Sequence, residues 1–309
     1  MMTKEDTVYF NHTINHMPQV LRARGWRLYT KDGNRLVDLW QYGGRALLGH
    51  NPPGLLRVIK NNAERGLFAP YPHFAVDRFF KALAVLFPNR VFRIYESESF
   101  CYHALNQAQT EAVLWRPFLD KEPQDALLSA PVLLPILPCP FPGAPAVLAI
   151  NAGVETMADP SENCINHEPT QTTTNVNKKI AAEVRDFSVV SGKKHASWTS
   201  QSEKLPASQA ISPVALAAAT RCIYDLIAAD DRGSLHFVKI DKILKQSPIW
   251  ERRGIYLYYT GADENYGGLF RHFLDGGFLL PPTTEDPAIL PGELSAGEEA
   301  KLAALINQC

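Results

Sequence analysis

Cysteine is sparse and unpatterned in this chain. Cys101, Cys139, Cys164, Cys222 and Cys309 are scattered without CxxC spacing, which argues for free thiols over a disulfide framework or a zinc site. An excess of one charge is also missing: the formal net charge is -1 over 309 residues, so nothing points to nucleic acid or to an anionic membrane surface. No apolar run reaches the roughly 18 residues that a membrane span needs. The opening stretch MMTKEDTVYFNHTINHM has neither a basic region ahead of an apolar core nor a cleavage site. Together these absences give the expectation of a cytoplasmic protein that binds neither nucleic acid nor membrane. What is present is ordinary: 46% hydrophobic residues and enough length for two domains with a sizeable core.

The most legible stretch is Arg24 to Gly54. Trp26, Leu28 and Tyr29 form an apolar run, Lys31-Asp32-Gly33-Asn34 supplies turn residues, and Leu36, Val37 and Leu39 resume the pattern, which predicts a β-hairpin. Gly43-Gly44 breaks the second strand, Gly49-His50-Asn51-Pro52-Pro53 is turn chemistry, and a helix is predicted from Leu55 to Arg65 with Gly66 as its C-cap. A second helix is predicted over Phe74–Phe87, stopped by Pro88; then come a short strand, Val91–Tyr95, and a long helix from Ser99 to about Trp115.

In this order, Gly25, Asp32-Gly33-Asn34, Val37-Asp38 and Leu48-Gly49-His50-Asn51-Pro52 resemble the start of the class III aminotransferases, fold type I enzymes that use pyridoxal phosphate (PLP). The resemblance implies an α/β, fold type I PLP-transferase-like architecture and a dimer, with residues 1–23 as an arm over the partner. In that family the strand corresponding to Val91–Tyr95 ends in a turn of the form (N)SG(T/S/A)EA. There a glycine and the first N–H groups of a helix hold the cofactor's phosphate, because those donors are unpartnered and the helix dipole favours an anion.

Here that turn reads Tyr95-Glu96-Ser97-Glu98-Ser99-Phe100. Two carboxylates within a few ångströms of a phosphate would each repel it by roughly 1–4 kcal/mol, and each is able to cap the helix itself. Glu96, Ser97, Glu98 and Ser99 therefore mark a former phosphate site that is expected not to bind, or an ordinary capped helix start. A shifted alignment leaves Ser97 or Ser99 beside a phosphate.

The middle of the chain is short for the family's mostly parallel seven-stranded sheet. About a hundred residues separate Asn106 from Ile211, where each βαβ unit needs roughly 30, so the large-domain sheet is expected to be truncated. Leu133–Pro145 is too proline-dense to be read as a central strand, whereas Ala146–Ile150 is one credible buried strand. Residues 151–178 are polar and without period and read as a mobile loop, and the Cys164/His167 spacing lacks the further ligands a metal needs. On the family pattern Ala182 replaces the aspartate that pairs with the pyridine nitrogen. Lys193, Lys194 and Lys204 are the weak candidates for the Schiff-base lysine, and none lies in a visibly desolvated setting.

The family pattern returns after Ser212-Pro213: a helix over Val214–Ala228, a strand over Gly254–Tyr259, a helix over Phe270–Leu274, and a final helix opened by Ser295 and Glu298 at capping-box spacing, with Gly297 where the family has histidine. The expected division is an N-terminal arm and framework (1–95), a shortened large-domain remnant (96–211) and a C-terminal small domain (212–309). The two matched blocks are expected to pack as one lobe.

The sequence thus points to a degenerate aminotransferase-like protein, without a bound cofactor, that acts by binding. Its partner would be a second copy, a catalytic homologue, or a small ligand in the remnant cleft. Two alternatives stand beside it. One is an active PLP-dependent aminotransferase or aminomutase using Lys193, Lys194 or Lys204; the other is acid–base chemistry by Glu96, Glu98 and His103 in the old cleft.

Overall fold

The computed structural model describes residues 16–119, 128–151, 205–230 and 237–308. The chain opens with strands β1 (Val20–Arg24), β2 (Arg27–Thr30) and β3 (Arg35–Asp38), each antiparallel to the next. The predicted hairpin is β2–β3, with Gly33 at φ 79° in its turn. Val20 and Leu21, assigned to the arm, lie in a strand instead, because the hairpin leaves β2 with a free edge that β1 pairs.

Next come α1 (Leu55–Ala63), with Gly66 closing it at φ 73°, α2 (Ala75–Leu86), β4 (Arg90–Tyr95) and α3 (Glu98–Ala108). Helix α3 is shorter than predicted. Gln109 takes a left-handed conformation at φ 50°, and Val113–Trp115 leaves the helical path to form strand β5. The side chains of this segment, one β-branched and one aromatic, suit a sheet better than a helix end.

Strands β6 (Val132–Pro135) and β7 (Ala146–Asn151) complete a four-stranded sheet of order β4-β7-β6-β5. Strand β6 is central, which corrects the expectation that Leu133–Pro145 holds no such strand. Pro135 is its last residue and Pro131 lies just outside it, so Val132, Leu133 and Leu134 are free of proline. The sheet continues past Pro135 through the Ile136 N–H, which donates to the Trp115 carbonyl. Strand β7 is antiparallel to both neighbours while β5 and β6 are parallel, so β4, β5 and β6 run in one direction.

Both faces of this sheet are buried. Val147 and Ala149 face the main core, and Ala146, Leu148 and Ile150 face Cys101, Ala104 and Leu105 of α3, the alternation a strand requires. The free edge of β4 is covered by the chain at 206–209: the Ile94 N–H donates to Ser208 Oγ, the Gln209 N–H to the Ile94 carbonyl, and the Tyr95 hydroxyl to the Pro206 carbonyl.

The remaining elements are α4 (Pro213–Asp230), α5 (Val238–Leu244), β8 (Trp250–Arg253), β9 (Tyr256–Tyr259), α6 (Tyr266–Asp275), β10 (Phe278–Leu279), β11 (Ala288–Ile289) and α7 (Ala296–Asn307). The predicted helices and strand of this region are present; α5, β8 and β11 are additional. The first and last parts of the chain are stitched together. β10 pairs in parallel with β3, and the Arg27 guanidinium grips Glu298 at 2.9 and 2.7 Å. Glu298 also completes the capping box that Ser295 opens. Helix α4 packs on α1 and α2, and its buried Leu216, Ala218, Ala219, Cys222 and Ile223 join the main core.

Candidate functional site

Because β4, β5 and β6 share one direction, their carboxyl ends lie along one edge of the sheet, the place where α/β sheets present ligand-binding loops. Tyr95, Trp115 and Pro135 end there; Arg116 and Ile136 follow directly, and Glu98 starts α3 three positions after Tyr95. The loop after β3 covers this edge. Asp38 Oδ1 accepts from the backbone N–H groups of Trp40 and Gln41, each at 2.9 Å, and Asp38 Oδ2 meets His50 Nε2 at 2.7 Å. These bonds hold a tight turn in which Gln41, Tyr42, Gly43 and Gly44 all have positive φ. Gly44 is required for more than its φ, since a Cβ there would lie 3.2 Å from Ile136 Cγ2. The family-like Asp38 and His50 are therefore parts of the frame that presses this loop onto the sheet edge.

Three polar groups lie beneath this loop. Arg45 pairs with Glu98 at 2.7 Å and lies over the Tyr42 ring. Arg116 pairs with Asp286 at 3.1 Å; its side chain is only 8% exposed, and its Nη1 is buried without a hydrogen-bond partner. Gln41 is fully buried, donates to the Ile289 carbonyl at 3.0 Å, and leaves its Oε1 unpartnered. A buried cationic N–H without an acceptor is costly unless something supplies one. Tyr102 adjoins this group: burial raises its pKa, with Glu98 adding to the effect. Burial likewise pushes the Cys101 thiol up to about 12, helped by Glu98, which keeps it protonated and inert.

At the turn that opens α3 one backbone donor is taken by protein, though not by the acids expected to cap it. The Glu96 N–H donates to Gln209 Oε1 at 2.9 Å, while the Glu96 side chain is exposed. Ser97 is the N-cap of α3 and makes no side-chain capping bond, and the Glu98 carboxylate turns to Arg45 rather than to the helix N–H groups. In the bond to Arg45 both partners are charged, whereas in a bond to a helix N–H only the carboxylate is. Ser99 and His103 are exposed. The turn thus places one carboxylate in the first turn of the helix and commits one of its backbone donors to Gln209, and neither feature fits a dianionic phosphate.

Lys193, Lys194, Lys204 and Ala182 lie outside the described residues, as do Cys164, His167 and most of the predicted loop at 151–178. Among the described residues Lys31, Lys60, Lys81, Lys239, Lys242, Lys245 and Lys301 are all exposed, and none has the desolvated setting a Schiff-base lysine needs. No grouping of three or more metal-ligating side chains occurs among the described residues, and no helix there is long and apolar enough to cross a membrane.

Sequence reasoning misses Arg45, Arg116, Gln209 and Asp286. Arg45 sits in the glycine loop, which in sequence reads only as a strand break. Arg116 directly follows β5, a strand that periodicity merges into a helix, so its place at a sheet edge is hidden.

No family model matches the sequence. An uncharacterized protein of Treponema pallidum is 28% identical over 303 residues, covering 92% of each chain. Among solved structures, the ornithine δ-aminotransferase of Plasmodium falciparum superposes with a TM-score of 0.58 at 12% identity, covering 98% of this chain and 97% of that one. A glutamate-1-semialdehyde aminomutase from Pseudomonas aeruginosa gives 0.57 at 13% identity, covering 100% and 94%. The order of elements, the sheet edge and these superpositions agree: the chain has the α/β fold of the class III PLP-dependent aminotransferases.

Proposed function

We propose that this protein keeps the aminotransferase fold but acts by binding, as a pseudoenzyme without PLP chemistry. The observation that carries this is the turn at the start of α3, where Gln209 takes the Glu96 N–H and Glu98 stands in the first helical turn on Arg45. A phosphate entering there would have to displace the amide of Gln209 and compete with Glu98 for Arg45.

The favoured bound species is a small anion at this sheet edge. Arg116 Nη1 is a buried cationic donor without a partner, beside the Asp286 pair and at the edge where the fold presents ligands. A compact carboxylate or phosphate reaching Arg116 would supply the acceptor it lacks. A protein partner, whether a second copy or a catalytic homologue, is compatible with this ligand and adds to it.

The test is direct binding to the full chain. PLP is expected to give no aldimine absorption band and no lysine fixed by borohydride. Arg116→Met is expected to abolish binding of whichever carboxylate or phosphate from a panel of small metabolites stabilises the wild-type chain against heat. An aldimine on any lysine would overturn the proposal.

A further inference from the structure

A separate cavity lies on elements other than those of the sheet edge. The groove between α1, α2 and α4 has a volume of about 380 Å³ and carries a one-sided set of polar groups. Arg65, Arg78 and Arg221 line it, with His73, Asn61 and Thr220 among the other polar residues, and no carboxylate among the described residues lines it.

Arg78 and Arg65 keep their donors open, and Arg221 keeps its Nη1. Arg78 lies over the Phe74 ring at 4.6 Å, a stacking that fixes the guanidinium plane and leaves its in-plane N–H groups free for an oxyanion. Arg221 is held from behind by Asp225 at 2.9 and 2.8 Å and packs against Gly54, where a Cβ would come 3.5 Å from its Cζ. Arg65 is exposed and has no ion-pair partner among the described residues. His73 Nδ1 accepts from the Ala75 N–H at 3.1 Å, so in the neutral ring the proton sits on Nε2 as a further donor. The aromatic rings of Phe74 and Tyr224, both about half exposed, line the same groove.

Three guanidiniums, a histidine donor and two rings in a space of this size match one ligand class. We infer that this groove binds a phosphate monoester carrying a flat ring, the phosphate lying among Arg65, Arg78 and Arg221 and the ring against Tyr224, since the Phe74 ring is already packed by His73 and Arg78. The inference is independent of the proposal for the sheet edge.

Adenosine 5′-monophosphate titrated calorimetrically into the full chain is the probe, with adenosine and inorganic phosphate as comparisons. Saturable binding is expected, weakened about tenfold or more when either the phosphate or the ring is absent and likewise in Arg65→Glu/Arg78→Glu, since a single charge-assisted hydrogen bond is worth a factor of that order. Both arginines are exposed, so the variant is expected to keep the wild-type circular dichroism and melting curve. Absence of saturable heat with the nucleotide, or equal affinity in wild type and the folded double variant, overturns the inference. Should that variant melt early, Arg65→Gln alone, with a several-fold loss expected and no loss overturning, takes its place.

Discussion

Protonating Glu298 is expected to loosen the joint between the first hairpin and the last helix. Arg27 binds this carboxylate with two hydrogen bonds, the Ser295 N–H donates to it at 2.9 Å, and Arg35 approaches at 3.2 Å. The Arg27 hydrogen bond leads in lowering its pKa from 4.5 to about 2, with Ser295 adding to the effect against an opposing cost of burial. A carboxyl whose pKa is depressed on folding contributes stability that is complete above the unfolded pKa and is lost as pH falls through the folded one. At about 1.4 kcal/mol per pH unit the contribution is roughly 3 kcal/mol, of which a little under half is gone by about pH 3.5. Urea unfolding followed by circular dichroism, at several pH values from near neutrality down to about 3.5, measures this against Glu298→Gln. The wild-type chain is expected to lose roughly 1.5 kcal/mol more than the variant over that range. A stability difference between the two that does not change with pH would refute the reasoning, because the carboxylate would then hold the joint by packing alone.

Three further outcomes follow from the same geometry. Asp38→Asn removes the charge behind two backbone hydrogen bonds and the His50 contact, and should lower unfolding free energy by roughly 1–3 kcal/mol in the same urea assay. Gly49→Ala places a Cβ 3.2 Å from the Gly25 Cα at a φ of 93°, so it should cost about 1–3 kcal/mol, whereas alanine at Gly297, which has open space and ordinary φ, should be neutral or slightly stabilising in thermal melts. Replacing Glu96, Glu98 and Gln209 together with serine should raise affinity for inorganic phosphate or PLP by about tenfold or more in calorimetric titration, since it frees both the backbone N–H at position 96 and the Arg45 guanidinium.

How much of the molecule is readable in its sequence depends on whether the signal is local. The β2–β3 hairpin, the caps at Gly66 and Ser295, and helices α1, α2 and α7 follow from turn residues and short periods within a few positions of each other, and they stand where the pattern puts them. Strand β6 escapes a reading that weighs proline density over a window, because the ladder depends on which positions donate, and Val132–Leu134 donate freely. Helix α3 ends earlier than its period suggests because Gln109, an ordinary residue in sequence, adopts a left-handed conformation that closes the helix, and Val113–Trp115 then pairs with β6. The cleft is legible only at Glu96 and Glu98. Its other members come from sequence separations that no local rule spans: Arg45 meets Glu98, Arg116 meets Asp286, and Gln209 meets the Glu96 backbone. Two glutamates mark the turn in sequence, but nothing local shows that an amide 113 residues away meets its backbone.

Absorption spectroscopy distinguishes a fold that binds without PLP chemistry from an active transaminase. The full chain, produced in cells with ample vitamin B6, is dialysed, scanned across the near-ultraviolet and violet, then scanned again with excess PLP and with an added amino acid. The account predicts no protein-bound aldimine band at any stage and no lysine modified after borohydride treatment. A band that shifts on adding the amino acid, with one lysine fixed by reduction, would contradict it.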